Sequence, residues 1–404
     1  VVPLDTARAG QPPRPGFLST LTRPMIVLLL LQLLNGVLFS PQRTFFPIYV
    51  REMGYPVMLI SVLASAQQVM GLLGAWFGGA LSDTLGRKRA LLVGQAGALL
   101  ASLAFLVPAV GWFAPLWVLS GLGGGTYTVA AQSYLVDAAH PAHLGVFSAL
   151  YNWGSTAGGA LGSPAAGLLL ERWDYRTFGA LSMGVALLAL VINTLVLPGS
   201  PADRPLTARR ILPGYGDVAS RPAAQLLALL RFLPTCYWGM AIVLIPLLLN
   251  NAGASKGTIA LYATISQVCA SLGQLLVGRA ADRLGSRKIQ LGVLAVFVPS
   301  IIATGLLPGR LWSIMLFGTL GTTAAWSLST LMPSLVAMVA TPAERGRYLG
   351  WVHLWWNLGM ILGSLAAGAL SSLGAGLPFV VVGALNLGTV GLSLTFFRRA
   401  AAPA

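Results

Sequence analysis

Gly79 to Arg89 reads GALSDTLGRKR, and Gly278 to Lys288 reads GRAADRLGSRK. Only 9% of the 404 residues are charged, yet each run gathers an Asp, several basic residues and two glycines between long apolar segments. Two near-copies of so unusual a run imply one device used twice.

The flanking segments define the solvent. Apolar residues make up 56% of the chain and the mean hydropathy is +0.78. That balance belongs to a lipid bilayer rather than to a soluble domain. A spanning helix needs about 20 consecutive, mostly apolar residues. The sequence supplies twelve such stretches, near 24–51, 56–81, 90–108, 113–137, 145–170, 178–197, 225–249, 257–281, 288–307, 311–338, 347–371 and 377–397. Residues 1–23 are polar, proline-rich and basic and read as a cytoplasmic tail with no cleavable signal, because the apolar run that follows is too long for a signal core. Cys236 and Cys269 both fall within spans and lack disulfide or metal spacing.

The net charge of +15 is distributed by topology, which excludes a nucleic-acid partner. Alternate connections, with the tails, hold nineteen Lys and Arg, among them Arg87, Lys88, Arg89, Arg221, Arg231, Arg287 and Arg398; the opposite set holds five, Arg51, Arg172, Arg176, Lys256 and Arg310. This asymmetry puts both termini in the cytoplasm.

The chain also repeats itself. An offset of 199 residues matches Gln68 with Gln267, Gly74 with Gly273, Gly79 with Gly278, Asp83 with Asp282 and Gly86 with Gly285. An offset of 201 matches Pro141 with Pro342, Gly158 with Gly359, Gly162 with Gly363 and Gly167 with Gly368. Residues 198–222, rich in Pro and Arg, separate bundles at 24–197 and 223–397, and 398–404 form a second tail. The result is a parallel repeat of six spans.

GALSDTLGRK resembles the signature loop of the major facilitator superfamily between spans two and three, G-x-L-x-D-x-x-G-R-K. Gly79, Leu81, Asp83, Gly86, Arg87 and Lys88 match it. The second copy keeps Gly278, Asp282 and Gly285, but Ser286 takes the Arg position and Arg287 and Lys288 are displaced by one. The resemblance implies an all-α membrane fold of two six-helix bundles related by a pseudo-two-fold axis. It further implies that the loop is a latch, with Asp83 against span eleven and Asp282 facing the start of span five. Trp117 stands where proton-coupled members carry Arg, ahead of Gly121 and Gly125, which argues against the usual coupling arrangement. Gly158, Gly162, Pro164 and Gly167 approximate the span-five pattern of exporters.

Arg43 is the cation set clearly inside an apolar span, about 27 Å along it at 1.5 Å per residue. A charge there either faces a pathway and binds an anionic or hydrogen-bonding group, or snorkels to the nearby surface. His353, the histidine inside a span, either carries a coupling proton or is a neutral core residue. Spans that line the central cavity in the family add Asn35, Gln42, Gln67, Gln68, Tyr127, Gln132 and Asn152 in the first half. The second half adds Trp238, Gln267, Trp326, Trp355, Trp356 and Asn357. Gly71, Gly74, Gly78 and Gly79 on span two and Gly154, Gly158, Gly162 and Gly167 on span five belong either to the face between moving bundles or to packing within one bundle.

These features point to a secondary transporter that moves a small organic molecule by alternating access, with export of amphipathic or drug-like compounds first. Uptake or facilitated diffusion of a sugar or organic anion through Arg43 is the alternative, and a non-transporting sensor of the same fold the remote one. The sequence holds no nucleotide-binding G-x-x-x-x-G-K-[ST] and no metal-spaced His or Cys cluster, so no enzyme activity and no cofactor are expected. The expected partners are the lipid bilayer, the substrate and a coupling proton or other ion, for a monomer in a bacterial-type inner membrane.

Overall fold

The computed structural model describes residues 17–140, 143–199 and 215–401. Parts of the expected tails and of the 198–222 linker, with Arg8, Arg14, Arg204, Arg209, Arg210 and Pro141, lie outside the described residues.

Each expected span is a helix. The first half comprises α1 (Arg23–Glu52), α2 (Val57–Leu85), α3 (Arg87–Ala104), α4 (Val110–Ala138), α5 (Leu144–Arg172) and α6 (Tyr175–Leu195). After the four-residue α7 (Gly216–Ala219), the second half comprises α8 (Pro222–Asn251), α9 (Lys256–Leu284), α10 (Ser286–Leu306), α11 (Leu311–Ala337), α12 (Arg345–Ser371) and α13 (Leu377–Ala401). Among the described residues, nine helices are long and apolar enough to cross a membrane. Composition sets the other three apart: α3 opens on Arg87, Lys88 and Arg89, while α4 and α5 trade large apolar residues for Gly, Ser and Thr.

The two charged runs are not loops. α2 continues through Asp83 to Leu85, and α3 starts at Arg87, so the turn between them is the single residue Gly86, at φ 86° and ψ 151°. Gly285 repeats this corner between α9 and α10, at φ 86° and ψ 141°. Side chains other than hydrogen are strained in that region, which is why each run carries a glycine seven residues after its first. Asp83 and Arg87, four residues apart on either side of the corner, form an ion pair across it.

Packing reproduces the repeat. α1 packs on α5, α2 on α4, α3 on α4 and α3 on α6, and their counterparts α8 on α12, α9 on α11, α10 on α11 and α10 on α13 do the same. Glycine permits the closest of these approaches. A Cβ on Gly158 or Gly162 would overlap the backbone of α1, and one on Gly359 or Gly363 would overlap α8. Gly74 and Gly78 meet α4 in the same way. Most of the glycines singled out on spans two and five therefore seat helices within one bundle.

Between the halves, α5 crosses α9 and α12 crosses α2, a symmetric pair. There the repeat-matched Gly167 lies against Ala260 and Gly257, and Gly368 against Ser61 and Met58. One apolar core joins the two halves at the end away from Gly86, running from Phe46 and Tyr49 to Leu244 and Leu248. Lys256 pairs with Glu52, and the Gly257 N–H donates to Glu171 Oε1 at 2.9 Å, both across the boundary. At the Gly86 end the cores stay separate, one built from the first half and one from the second. The molecule is closed at one end and open at the other.

Replacing Gly86 or Gly285 with Ala should cost on the order of 1–3 kcal/mol each through backbone strain. Gly388→Ala, on a helix with open space around the added carbon, should be neutral or slightly stabilising. Thermal unfolding in detergent compares the three variants.

Candidate functional site

A cavity of about 1150 Å³ lies between the halves. Its lining runs from Trp117, Gln42 and Arg43 near the joined core to Asp83, Thr84 and Tyr215 at the Gly86 end. Since the two cores do not merge there, the cavity opens toward that end.

Most of the wall comes from the first half and is amide-rich. Gln32, Asn35, Gln67, Gln68, Gln95 and Tyr127 line it, with His353, Trp356 and Asn357 contributed by α12. Several of these are held in place. Gln42 Nε2 donates to Ser102 Oγ at 2.9 Å, Gln67 Nε2 to Ser120 Oγ at 3.0 Å, and Asn357 Nδ2 to the His353 carbonyl at 2.9 Å. Others have capacity to spare: Gln32 Oε1 and the Tyr127 hydroxyl are buried without a protein partner. A buried polar atom without a partner is costly, so these two are poised to meet a guest or water. Trp117 stacks on Phe46 at 3.6 Å and walls off the far end, so the residue that replaces the family's Arg is used for packing.

The formal charges in this wall are Arg43 and Asp83. Arg43 sits over the Phe39 ring at 5.4 Å, and no described carboxylate pairs with it. Arg43 lines the cavity near its closed end. Pro47 sharpens the local polarity, because a proline lacks the N–H that would bond the Arg43 carbonyl in an unbroken helix.

Trp238 and Trp326 lie elsewhere. They meet edge to face at 5.4 Å in a side pocket of about 130 Å³ within the second half. His353 and Trp356, stacked at 5.2 Å, line both this pocket and the main cavity. Arg231 lines the side pocket as well, donating to Ser329 Oγ with its guanidinium 6.0 Å from the Trp356 ring. Counting Arg231 among the connecting-loop cations is therefore corrected: it stands in the tenth position of α8. The signal was present in its apolar neighbours, LLALLRFLP.

Four expected cavity residues, Gln132, Asn152, Gln267 and Trp355, are not brought to either pocket. Gln132 and Asn152 are exposed on α4 and α5, nearer the open end than the lining residues Thr128 and Ser155; Gln267 Oε1 accepts from Ser40 Oγ at 3.3 Å, and Trp355 packs edge to face on Phe232 at 5.7 Å.

At the open end the expected latch lies within its own half. Arg87 pairs with Asp83, and its Nε donates to Asp137 Oδ2 on α4 at 3.0 Å. Lys88 Nζ donates to the Thr194 carbonyl at 2.8 Å. Asp83 thus engages α3 rather than α12, as expected of an end that stands open. Asp282 and Arg287 are exposed, and no described residue pairs with them; the loss of Arg at Ser286, which is buried, removes the counterpart of the Arg87 bridge. The second half is tied instead by Arg221 to Glu344 at 2.8 Å and Arg347 to Asp217 at 2.7 Å, which hold α7 and the start of α8 to α12.

Two pseudo-symmetric helical halves around a central cavity define a multi-pass membrane transporter. The profile of the Major Facilitator Superfamily matches residues 28–238 and 227–404, and the chain belongs to that family. It is 25% identical over 373 residues to the multidrug resistance protein MdtH of Shigella boydii serotype 4 (strain Sb227), covering 88% of this chain and 89% of the relative. With MdtH of Cronobacter sakazakii (strain ATCC BAA-894) it shares 25% identity over 360 residues, 84% and 86% of the two chains. Among solved structures, the nucleoside transporter NupG superposes with a TM-score of 0.78 at 14% identity, covering 93% of this chain and 99% of that one. An inward-facing, occupied bacterial homologue of the human lysosomal transporter Spinster superposes at 0.71 with 16% identity, covering 94% and 98%. At such identities these two likenesses establish the fold.

The second-half clasp has a pH signature. The Arg221 guanidinium, with help from Thr341, holds the Glu344 carboxyl at about 2, below its ordinary 4.5. A depressed carboxyl stabilises the clasp above its unfolded value and loses that contribution as pH falls through the folded one. A nitroxide at Ala219 should therefore gain mobility between about pH 4.5 and pH 2. In Glu344→Gln the label should start mobile and respond little to pH over that window.

Proposed function

We propose that this chain is a secondary transporter that exports amphipathic, drug-like compounds by alternating access. One observation carries the reading: a large cavity between pseudo-symmetric halves, sealed at one end by an apolar core and open at the other. Exchange of the sealed and open ends would carry a guest across. In the orientation implied by the basic residues, the Gly86 end is cytoplasmic, both termini are cytoplasmic and the structure faces inward. The membrane is the bacterial inner membrane and the working unit a monomer.

The wall supports amphipathic cargo, since amides and aromatic rings outnumber formal charges in it. The MdtH relatives lend the export direction their support at 25% identity. No chemical conversion is proposed. Asp83, Gly86, Arg87 and Lys88 act as the latch that engages the second half when the open end closes, with Gly79 and the Gly278, Asp282, Gly285 and Arg287 copy as its weaker partner. Of the groups lining the cavity, His353 is the one whose ordinary pKa lies near neutrality, so a coupling proton would be carried there. Arg231 shares its side pocket and adds positive charge beside it.

The alternative, movement of an organic anion through Arg43, is favoured by the unpaired guanidinium in the cavity. Flux in proteoliposomes, with and without an imposed pH gradient, tests both. Arg43→Gln should leave export of a neutral amphipathic dye within about twofold of the parent, whereas dependence on Arg43 would cut flux by about tenfold or more, the scale of one charge-assisted hydrogen bond. Flux that ignores the gradient overturns proton coupling through His353. Absence of flux for every compound overturns the transport reading in favour of a sensor.

A further inference from the structure

Half-buried in the second half is a cation that the central cavity does not explain. Arg231 stands in the interior of α8, where its described contacts are the Ser329 hydroxyl and the face of Trp356. A guanidinium carries five N–H donors in a planar fork, so most of its capacity is unspent. No described carboxylate forms an ion pair with it. A charge held in a membrane-embedded bundle without a counter-ion is costly, and such residues face pathways or ligands.

The surroundings fit one kind of guest. Trp238 and Trp326 form an edge-to-face corner, and Trp356 stacked on His353 forms the opposing plane. The partly open space between them is about 130 Å³, comparable to the roughly 150 Å³ engineered cavity that takes up benzene. One aromatic ring fits, flanked by indoles that favour offset and edge contacts. His353 and Trp356 also line the main cavity, so a longer molecule anchored here reaches the amide wall of the first half.

We propose that Arg231, Ser329 and the indoles of Trp238, Trp326 and Trp356 form a subsite for an aromatic carboxylate, making amphipathic organic anions the preferred cargo class. The carboxylate takes the Arg231 fork and the Ser329 hydroxyl, and the ring takes the indole corner. Arg43, in the main cavity, is not part of this subsite. The inference rests on the transport reading only in treating the bound anion as cargo.

The probes are benzoate and its isosteric neutral counterpart benzamide. Equilibrium binding to the full chain in nanodiscs of phosphatidylcholine compares them without anionic headgroups. The carboxylate should bind at least about tenfold tighter, as one charge-assisted hydrogen bond would give. Arg231→Gln should bring the two probes within about twofold while carboxamide binding stays unchanged, which also reports that the variant is folded. Arg231→Lys should keep a preference above about threefold, and Arg43→Gln should keep the parent's preference. Equal binding in the parent, a preference that survives Arg231→Gln, or a preference lost in Arg43→Gln instead overturns the subsite. Displacement of the carboxylate by phosphatidylglycerol added to the nanodiscs would assign Arg231 to lipid headgroups and overturn it as well. Dye flux without a carboxylate preference removes the subsite and leaves transport standing; the preference without flux does the reverse.

Discussion

The architecture depends on an apolar seam that joins the two halves at one end only. Phe46 and Tyr49 of α1 and Leu244 and Leu248 of α8 belong to one continuous core, whereas the cores at the opposite end are confined to one half each. Helices in lipid satisfy their own backbones, so nothing obliges the halves to touch along their whole length. In a bilayer, association rests on close packing and on a few polar contacts rather than on expulsion from water. Gly167 and Gly368 supply the close packing at the two symmetric crossings, and Lys256 with Glu52 supplies a polar contact at the rim. A seam of this kind can open without unfolding either bundle, because each bundle keeps its own glycine-seated helix pairs.

The asymmetry between the halves is chemical rather than geometric. Helix pairings and glycine corners repeat, yet the first half lines the cavity with amides while the second contributes indoles and a half-buried guanidinium. At an offset of 199 residues, Arg231 corresponds to Gln32, whose buried Oε1 also lacks a protein partner. The same place in each half therefore holds polar capacity left unspent, as an acceptor in one and as a cation in the other. A guest spanning both meets complementary walls, which orients it along the axis between the halves.

Much of this was legible in the sequence where the signal is local or periodic. Twelve apolar stretches became twelve helices, and the two charged runs located both helix corners because a positive φ needs glycine at Gly86 and Gly285. What stayed illegible depends on neighbours. Gln132 and Asn152 are polar residues on central spans, but both are exposed nearer the open end than the lining residues Thr128 and Ser155, and that depth depends on how the halves meet. The glycines on spans two and five could not be divided between internal and inter-bundle faces until α1, α4 and α9 were in place. Arg231 was absorbed into a charge count because a cation near a span boundary reads as topology.

That last case bears on how basic residues in such chains are weighed. Assigning a cation to a connecting loop assumes that helix and apolar stretch end together, yet α8 begins at Pro222 and carries Arg231 more than two turns inside. Proline at the start of the helix explains the early beginning, since its missing N–H costs nothing in the first turn. From there the flanking Leu and Phe residues continue the apolar sequence on both sides of the charge. The bundle interior offers it a hydroxyl and an indole face. Such partial compensation leaves the arginine able to exchange those contacts for a stronger one, and that capacity, more than its charge, distinguishes it from the loop cations around it.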